Sequence, residues 1–548
     1  MYYADEAIEA LCKRADALKT KRSTFENQWV EVAERVLPGY ARTFNGGLST
    51  VKNSGGGEKN TELMFDATAA LGLTKFAAAM ESMLTPRNQK WHRLRASNRY
   101  LMKDHSVRAW FDDATDILFH YRQQAKANFQ SQLHEIYVNL GAFGTGVLFT
   151  DALDEGGLRY KQIHLSEVVF DVNHQGVVDT VFRWFEMTAR QILQKWPKPE
   201  QPLPDELAQA QRDNPDKLFK VLHMVMPRAD FDPSRADAKG KKFASVYVLY
   251  AKDKTKLSEG GYTTFPYAIS RYVAGPGELF GRSPAMLVLP NIKVLNDQTK
   301  TLLKQGHRTV DPVLLVHDDG IIDSFSLKPG ALNAGGVSAD GRLLVQPLPV
   351  GNIAVGKDMM DDNRVAINDA FLVTLFQILV ETPQMTATEV IERVREKGAL
   401  LSPTMGRQQT ELLDPMIERE FDLLAAQGLL PPLPEALLEA EGEYKVEYDS
   451  PLSRAQRAEE AAGGLRMIDY AANIAANTQD PSILDHFNFD VMVPELAEIQ
   501  GLPARWMATP EQVGEKRSGR QQGQEQQALI QALPGAAAMA KATVQPKQ

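Results

Sequence analysis

The chain is short of the features that mark most enzymes, secreted proteins and nucleic-acid binders. It has one cysteine in 548 residues, Cys12, so no internal disulfide framework is possible and assembly in a reducing cytoplasm is expected. The most apolar run, Phe371 to Val380, falls far short of the roughly 20 residues needed to cross a bilayer. The opening MYYADEAIEA is acidic and lacks the basic start and apolar centre of a signal peptide, so a soluble chain is expected. A basic surplus is also absent: 61 Lys and Arg against 70 Asp and Glu give a formal net charge of −9. Counterion release drives duplex affinity, so broad, static DNA binding is unlike this chain, whereas a wall that DNA slides past remains compatible. The ten histidines are scattered and form neither HExxH nor a Cys/His zinc pattern. His134-Glu135 is followed by Val138 where a second zinc ligand would stand. No metal and no cofactor is expected, and no internal repeat is visible.

What is present is ordinary globular composition, 43% hydrophobic and 24% charged, in a length that suits roughly three or four domain-sized pieces. Residues 1 to 141 read as mainly helical. The apolar stripes are Phe25, Trp29, Val32, Val36; Leu63, Ala67, Ala70, Leu73, Ala77, Met80, Leu84; Val107, Phe111, Ala114, Leu118, Tyr121, Ala125; and Phe129, Leu133, Ile136, Tyr137, Leu140. A glycine-rich loop separates the first two. Strands are expected over Val177 to Met187, Phe219 to Met226 and Phe243 to Tyr250, where β-branched and aromatic residues partly alternate. Trp196 to Leu207 reads as a proline-rich surface loop. Pro284 to Arg308 returns to helix, kinked or started at Pro290, and Asp311 to Ile353 is strand and turn. A long helix is expected from Lys357 to Val380, a boundary at Pro431 to Pro434, further helices over 450 to 510, and a loosely structured Gln/Ala/Gly tail after Gly514. The fold class is α+β, predominantly α.

Apparent catalytic motifs fail on their chemistry. Gly55-Gly-Gly-Glu-Lys59-Asn-Thr61 places Glu58 and Asn60 where a Walker loop needs glycine and a hydroxyl. Gly281-Arg-Ser283-Pro-Ala285 has the outline of a nucleophile elbow, but the oxyanion-hole N–H would come from Pro284, which has none. Ser283 is better read as a helix N-cap with proline at the first helical position. One charge pattern carries more weight. Lys293, Asp297, Lys300, Lys304 and Arg308 recur at spacings of four, three, four and four and share one helix face, away from Ile292, Leu295 and Leu302. In a lone chain this is a solvated face. Around a channel it would become stacked positive rings interrupted by an acidic one.

The most informative stretch is Met385 to Phe421, MTATEVIERVREKGALLSPTMGRQQTELLDPMIEREF. Thr386 and Glu389 form a capping box, Glu389 and Arg393 an i,i+4 pair, and Gly398 a stop. Ser402-Pro403 opens a second helix with Leu412, Leu413, Met416, Ile417, Phe421 and Leu424 along one side. The string resembles the TATEV…GR…E.L.P.I.R.F signature of portal (head-to-tail connector) proteins from short-tailed bacteriophages. Other segments resemble the same family in family order: Glu58 to Leu94, Gly281 to Asn296 (GRSPAMLVLPNIKVLN), Asp311 to Gly320, Leu327 to Asn333, Ala370 to Leu379 and Ser450 to Gln456 (SPLSRAQ). Ser283 and Ser453 depart from the family's usual glycine and alanine.

The resemblance implies a portal fold of wing, stem, clip and crown, assembling as a twelve-subunit ring at one capsid vertex and acting as the channel for DNA packaging and ejection. Mapped onto this chain, it implies a wing over 1–283 and 386–430, stem helices over 284–308 and 357–380, a clip over 309–355, a crown over 443–513 and a tail over 514–548. The stem stripe Lys293, Asp297, Lys300, Lys304, Arg308 would face DNA, and Glu381, Thr382, Pro383, Gln384 and Met385 would form a tunnel loop. Asp318, Asp319, Asn333, Asp340 and Arg342 of the clip would meet partners. Those implied are double-stranded DNA, the terminase large subunit, a tail adaptor, and the major capsid and scaffolding proteins, with no membrane. The alternative from another class is a cytoplasmic enzyme with an unrecognised active site.

Overall fold

The computed structural model describes residues 5–45, 60–87, 89–197, 202, 204–251, 254–317, 325–349, 353–374, 403–440, 443–448, 451–478, 481–499, 506–508 and 512–524. Helices α1 (Asp5–Val36), α2 (Ala41–Asn45) and α3 (Thr68–Leu84) precede strand β1 (His92–Ala96). Helices α4 (His105–Gln123) and α5 (Phe129–Phe143) lead into β2 (Thr145–Ala152), β3 (Leu158–Gln162), β4 (Val168–Val172) and β5 (Val178–Thr188). Two short helices, α6 (Ala189–Lys195) and α7 (Asp205–Asp213), are followed by β6 (Leu218–Pro227), β7 (Phe243–Leu249), β8 (Lys256–Tyr262) and β9 (Tyr267–Arg271). Then come α8 (Pro284–Leu287), α9 (Leu289–Val310), β10 (Leu314–Val316), β11 (Val345–Pro347) and α10 (Ile353–Ala370). The last elements are α11 (Asp414–Ala426), α12 (Glu435–Glu439), β12 (Tyr444–Tyr448), α13 (Pro451–Thr478) and α14 (Phe489–Ile499). The class is mixed helix and strand with helix predominating, and no helix among the described residues is long and apolar enough to cross a membrane.

The chain divides into two compact units, residues 1–88 with 121–427, and residues 89–120 with 428–548. The first is built on a five-stranded antiparallel sheet in the order β4-β5-β6-β7-β8. On one face, Ile8, Cys12, Ala15 and Leu18 of α1 pack against Phe182, Leu222, Met224 and Val246. On the other, Ile192, Trp196, Leu207 and Ala210 pack against Phe219, Val221 and Leu249. Both flanks of the segment expected as a surface loop, Trp196 and Leu207, are therefore core residues: their apolar bodies cover a sheet face that would otherwise be wet. Arg22, buried in α1, donates from Nη1 to the carbonyls of Leu165 and Val168, both at 2.7 Å, and so closes the chain leading into β4.

A second, three-stranded sheet, β3-β2-β9, carries α5 and α11. Here the expected stripe Leu412, Leu413, Met416, Ile417, Leu424 is buried, and Phe421 partly so. The helix is not regular: residues Gln409–Leu413 form a π turn in which Asp414 N–H reaches Gln409 O. Pro415 has no N–H and crowds the carbonyl four residues back, and the wider turn accommodates it.

In the second unit β1 pairs with β12, His92 opposite Tyr448, a short strand within the mainly helical run of residues 1 to 141. Thr115 Oγ1 accepts from Leu94 N–H at 3.1 Å, joining α4 to β1, and Trp110 Nε1 donates to Pro431 O at 3.1 Å. Residues 512–524, where the tail expected from composition begins, are helical.

Candidate channel and partner surfaces

The segment expected as the stem starts at a point where backbones touch. Gly144 ends α5 at φ 75°, and a Cβ there would lie 2.4 Å from Gly281 O; the reverse placement on Gly281 would meet Gly144 O at 2.1 Å. Only glycine on both sides permits this approach. Ser283 follows, its Oγ accepting from Met286 N–H at 2.9 Å and donating to Ala142 O at 2.8 Å. It is the N-cap read from the sequence. The helix breaks at Val288, and α9 starts with Pro290 in its first turn.

Buried groups root this helix. Asn296 Oδ1 accepts from Phe65 N–H at 2.6 Å and Asp66 N–H at 3.1 Å, and its Nδ2 donates to Ile292 O at 2.8 Å. Asp66 in turn receives Arg364 of α10, Nη2 to Oδ2 at 2.8 Å. Burial pushes its carboxyl up, but hydrogen bonds from Thr68 and Arg364 outweigh that and hold it below the usual carboxylate range. Residues 61–67 are thus a non-helical hook, and α3 starts at Thr68; Leu63, expected in the apolar stripe, is 43% exposed. Between α9 and α10, Asn363 Oδ1 accepts from Asn291 Nδ2 at 3.1 Å.

The structure places the five stripe residues along α9. Lys293 is half-buried and paired with Glu31 of α1, and the Lys300 ammonium sits 5.2 Å from the centre of the Phe65 ring. Asp297, Lys304 and Arg308 are exposed further along. Ile292 and Leu295 are buried, as their separate face implied.

The second helix expected in the stem differs from expectation at its start and is interrupted within its length. It begins at Ile353 and is interrupted after Ala370 by a turn at Phe371 and Leu372; Val373 and Thr374 are helical again, and the rest of the expected run, 375–380, lies outside the described residues. Leu372 adopts φ 58°, and Phe371 is fully buried beside Gly72, with a T-shaped contact to Phe76 at 6.4 Å. Seating Phe371 on α3 rewards the break that the left-handed Leu372 costs.

Between α9 and α10, β10 and β11 form a two-stranded ladder, Leu315 opposite Gln346. Asn333 is engaged inside its own loop, accepting from Ser326 N–H and donating to Ser326 O, both at 2.8 Å. Asp340 and Arg342 are exposed on a tight hairpin tip in which Ser338 N–H reaches Arg342 O at 2.9 Å and Gly341 takes φ 78°. Asp318, Asp319, the whole of Glu381 to Met385, and the capping box at Thr386 and Glu389 lie outside the described residues.

Sequence reasoning missed the buried charges behind these surfaces. Arg122 and Glu420 are both essentially inaccessible: Arg122 Nε donates to Glu420 Oε2 at 2.9 Å, Nη2 donates to the same oxygen, and Tyr160 OH donates to Oε1 at 2.7 Å. Arg271 grips Glu411 of the π turn, Nη2 to Oε1 at 2.8 Å, while its backbone N–H reaches Oε2 at 2.9 Å. Among the described residues no group of His, Cys, Asp and Glu is arranged to hold a metal ion.

The family model described as bacteriophage head to tail connecting protein matches residues 9–507. The chain belongs to that family. Among curated relatives, this connector is 29% identical over 534 residues to a probable portal protein of Bordetella phage BPP-1, covering 95% of this chain and 93% of that one. It is 26% identical to a portal protein of Salmonella phage epsilon15, covering 100% and 96%. A chain from the virion of a native gene transfer agent particle aligns over 73% of this connector and 85% of its own length, with a TM-score of 0.33 and 11% identity. The family is a structural connector of the phage particle, so the alternative of an enzyme with an unrecognised site falls.

Proposed function

We propose that this connector is a portal protein: twelve copies form a ring at one capsid vertex, and genomic DNA enters and leaves through it. The match to the connector family over residues 9–507 carries the reading, together with two relatives named portal proteins that align along nearly their whole length. In this reading α9 and α10 are the stem, the excursion between them is the clip that meets terminase and tail adaptor, and residues 1–283 with 386–430 supply the wing. The C-terminal helices face the capsid interior as a crown, and assembly with capsid and scaffolding proteins takes place in the host cytoplasm. Exposed Lys304 and Arg308 and half-held Lys293 and Lys300 present transient phosphate contacts that Asp297 interrupts. The turn Glu381 to Met385 is the tunnel loop on sequence alone: Pro383 disfavours helix at Thr382, and the chain restarts at the Thr386 cap.

Native mass measurement with negative-stain imaging of the purified protein tests the proposal. Rings near twelve copies with a central channel are expected. A monomer or dimer at all concentrations overturns it.

A further inference from the structure

The second unit holds a cavity that the portal reading does not use. Its volume is about 310 Å³, and its walls come from β1, the start of α4, α14, Met507, Ala508, and Val513, Gly514 and Arg517 of the helical stretch 512–524. Four arginines reach it: Arg93 and Arg95 at alternate positions of β1, Arg108 of α4, and Arg517. His105, Arg108 and Asp112 stand at helical spacing and line the same wall. Arg517 is held by Asp490, Nη1 to Oδ2 at 2.9 Å, and Arg95 by Glu447 at 2.7 Å. Arg108 Nε and His105 Nε2 are buried with no hydrogen-bond partner among the described residues. A buried donor left unmade is costly, and a guanidinium fork is built to take an oxyanion. The remaining lining is apolar: Leu94, Met102, Pro494, Ala497 and Met507.

We propose that this cavity binds a nucleotide-type anion, a phosphate carrying a flat heterocyclic body, with Arg108 and His105 taking the phosphate and the apolar wall taking the base. The volume is at the lower end of small-ligand sites and far exceeds that of a bare phosphate, for which the apolar wall would be superfluous. Arginine planes also stack on bases, so the same residues serve both halves of the ligand. Two sources share this chemistry: a free nucleotide, and the end of a DNA strand.

The test is titration calorimetry on the full chain at about 0.15 M salt, where loose surface attraction is screened. The probes are 2′-deoxyadenosine 5′-monophosphate, inorganic phosphate, deoxyadenosine, and a 5′-phosphorylated single-stranded oligo-dA. The monophosphate is expected to bind more tightly than phosphate or the nucleoside. Arg108→Gln should weaken it about tenfold or more, as loss of a charge-assisted hydrogen bond implies. Met102→Trp, which fills the cavity without altering charge, should abolish binding and keeps the proposal testable if Arg108→Gln fails to fold. Arg212→Gln, on an exposed helix of the other unit, should leave affinity unchanged. Tighter binding of the oligonucleotide assigns the site to strand ends, and its exclusion assigns the site to free nucleotide; either supports the proposal. Phosphate binding as tightly as the monophosphate, equal affinity in both cavity variants, or no binding of any probe overturns it.

Discussion

Glu420 is a carboxylate with no access to water, and its charge is tolerable because Arg122 and Tyr160 supply donors to both of its oxygens. Such a pair stabilises little relative to apolar packing, yet removing one member strands the other. Glu420→Gln is therefore expected to cost about 3–5 kcal/mol, read as a lower thermal midpoint, whereas Arg122→Met with Glu420→Leu should recover most of the loss. A double variant no better than the single would show that the pair, and not the stranded charge, carries the stability. His164 makes a pH prediction. It is buried between Tyr40 and Phe44, with Thr43 Oγ1 3.1 Å from Nε2 and Ser166 Oγ 2.7 Å from Nδ1; burial, then Arg22, lowers its pKa from 6.5 to about 4. Protonation thus favours the unfolded chain. Stability is full above the unfolded value of 6.5 and declines as pH falls from there through about 4, by up to about 3 kcal/mol. Unfolding midpoints measured between pH 7 and 4 should fall less steeply for His164→Gln than for the parent; parallel curves would refute the assignment.

At the scale of elements, α9, proposed as a stem helix, is rooted by buried groups near its start. Asn296, Asp66 and Arg364 fix the root, Lys300 rests against Phe65, and further along Lys304 and Arg308 are exposed. Lys293→Gln, Lys300→Gln and Lys304→Gln together should leave the thermal midpoint within about 1 kcal/mol of stability, because exposed pairs contribute little. Genome packaging or retention should change in phage carrying the triple substitution; unaltered packaging and ejection would remove these residues from the channel. Local periodicity had shown most of these elements. The strands β5, β6 and β7 were legible from alternation, α5 from its apolar stripe, and the Ser283 cap from its following proline. What stayed hidden is non-local. Nothing near His92 marks Tyr448, 356 positions further on, as its partner. Nor does the run from Lys357 to Val380 announce that Phe371 will turn aside to pack on α3, or that Pro415 will be absorbed by a π turn upstream. Arg22, Arg419 and Glu420 read as surface charges by residue type and are buried in tertiary hydrogen bonds. The stripe on α9 was legible as a face, but which surroundings that face meets depends on other chains.

At the scale of the molecule, the exposed apolar side chains are concentrated where a lone chain has nothing to cover them. Leu303 is 53% exposed and Val310 88%, on the same helix as fully buried Ile292. The spacing of eleven and then seven residues is close to three and two whole turns, so all three lie on one line along α9. The line is buried at the root and continues bare toward the clip, where Val313, Leu315 and Val316 are each at least half exposed. Two short strands with apolar side chains cannot bury them alone. Burying one such side chain stabilises by about 1.5–3 kcal/mol, and contiguous exposed apolar surface of this kind marks an interface. In the proposed ring, a neighbouring copy set against α9 would supply the cover and extend the line that Ile292 begins. Leu303→Asp with Val310→Asp should leave the folded chain intact, since neither side chain is buried within it, and should lower the native mass from rings to single chains. Dichroism and thermal unfolding of the variant establish that the fold survives. Rings of unchanged mass in that variant would place the contact between copies on another face of the molecule.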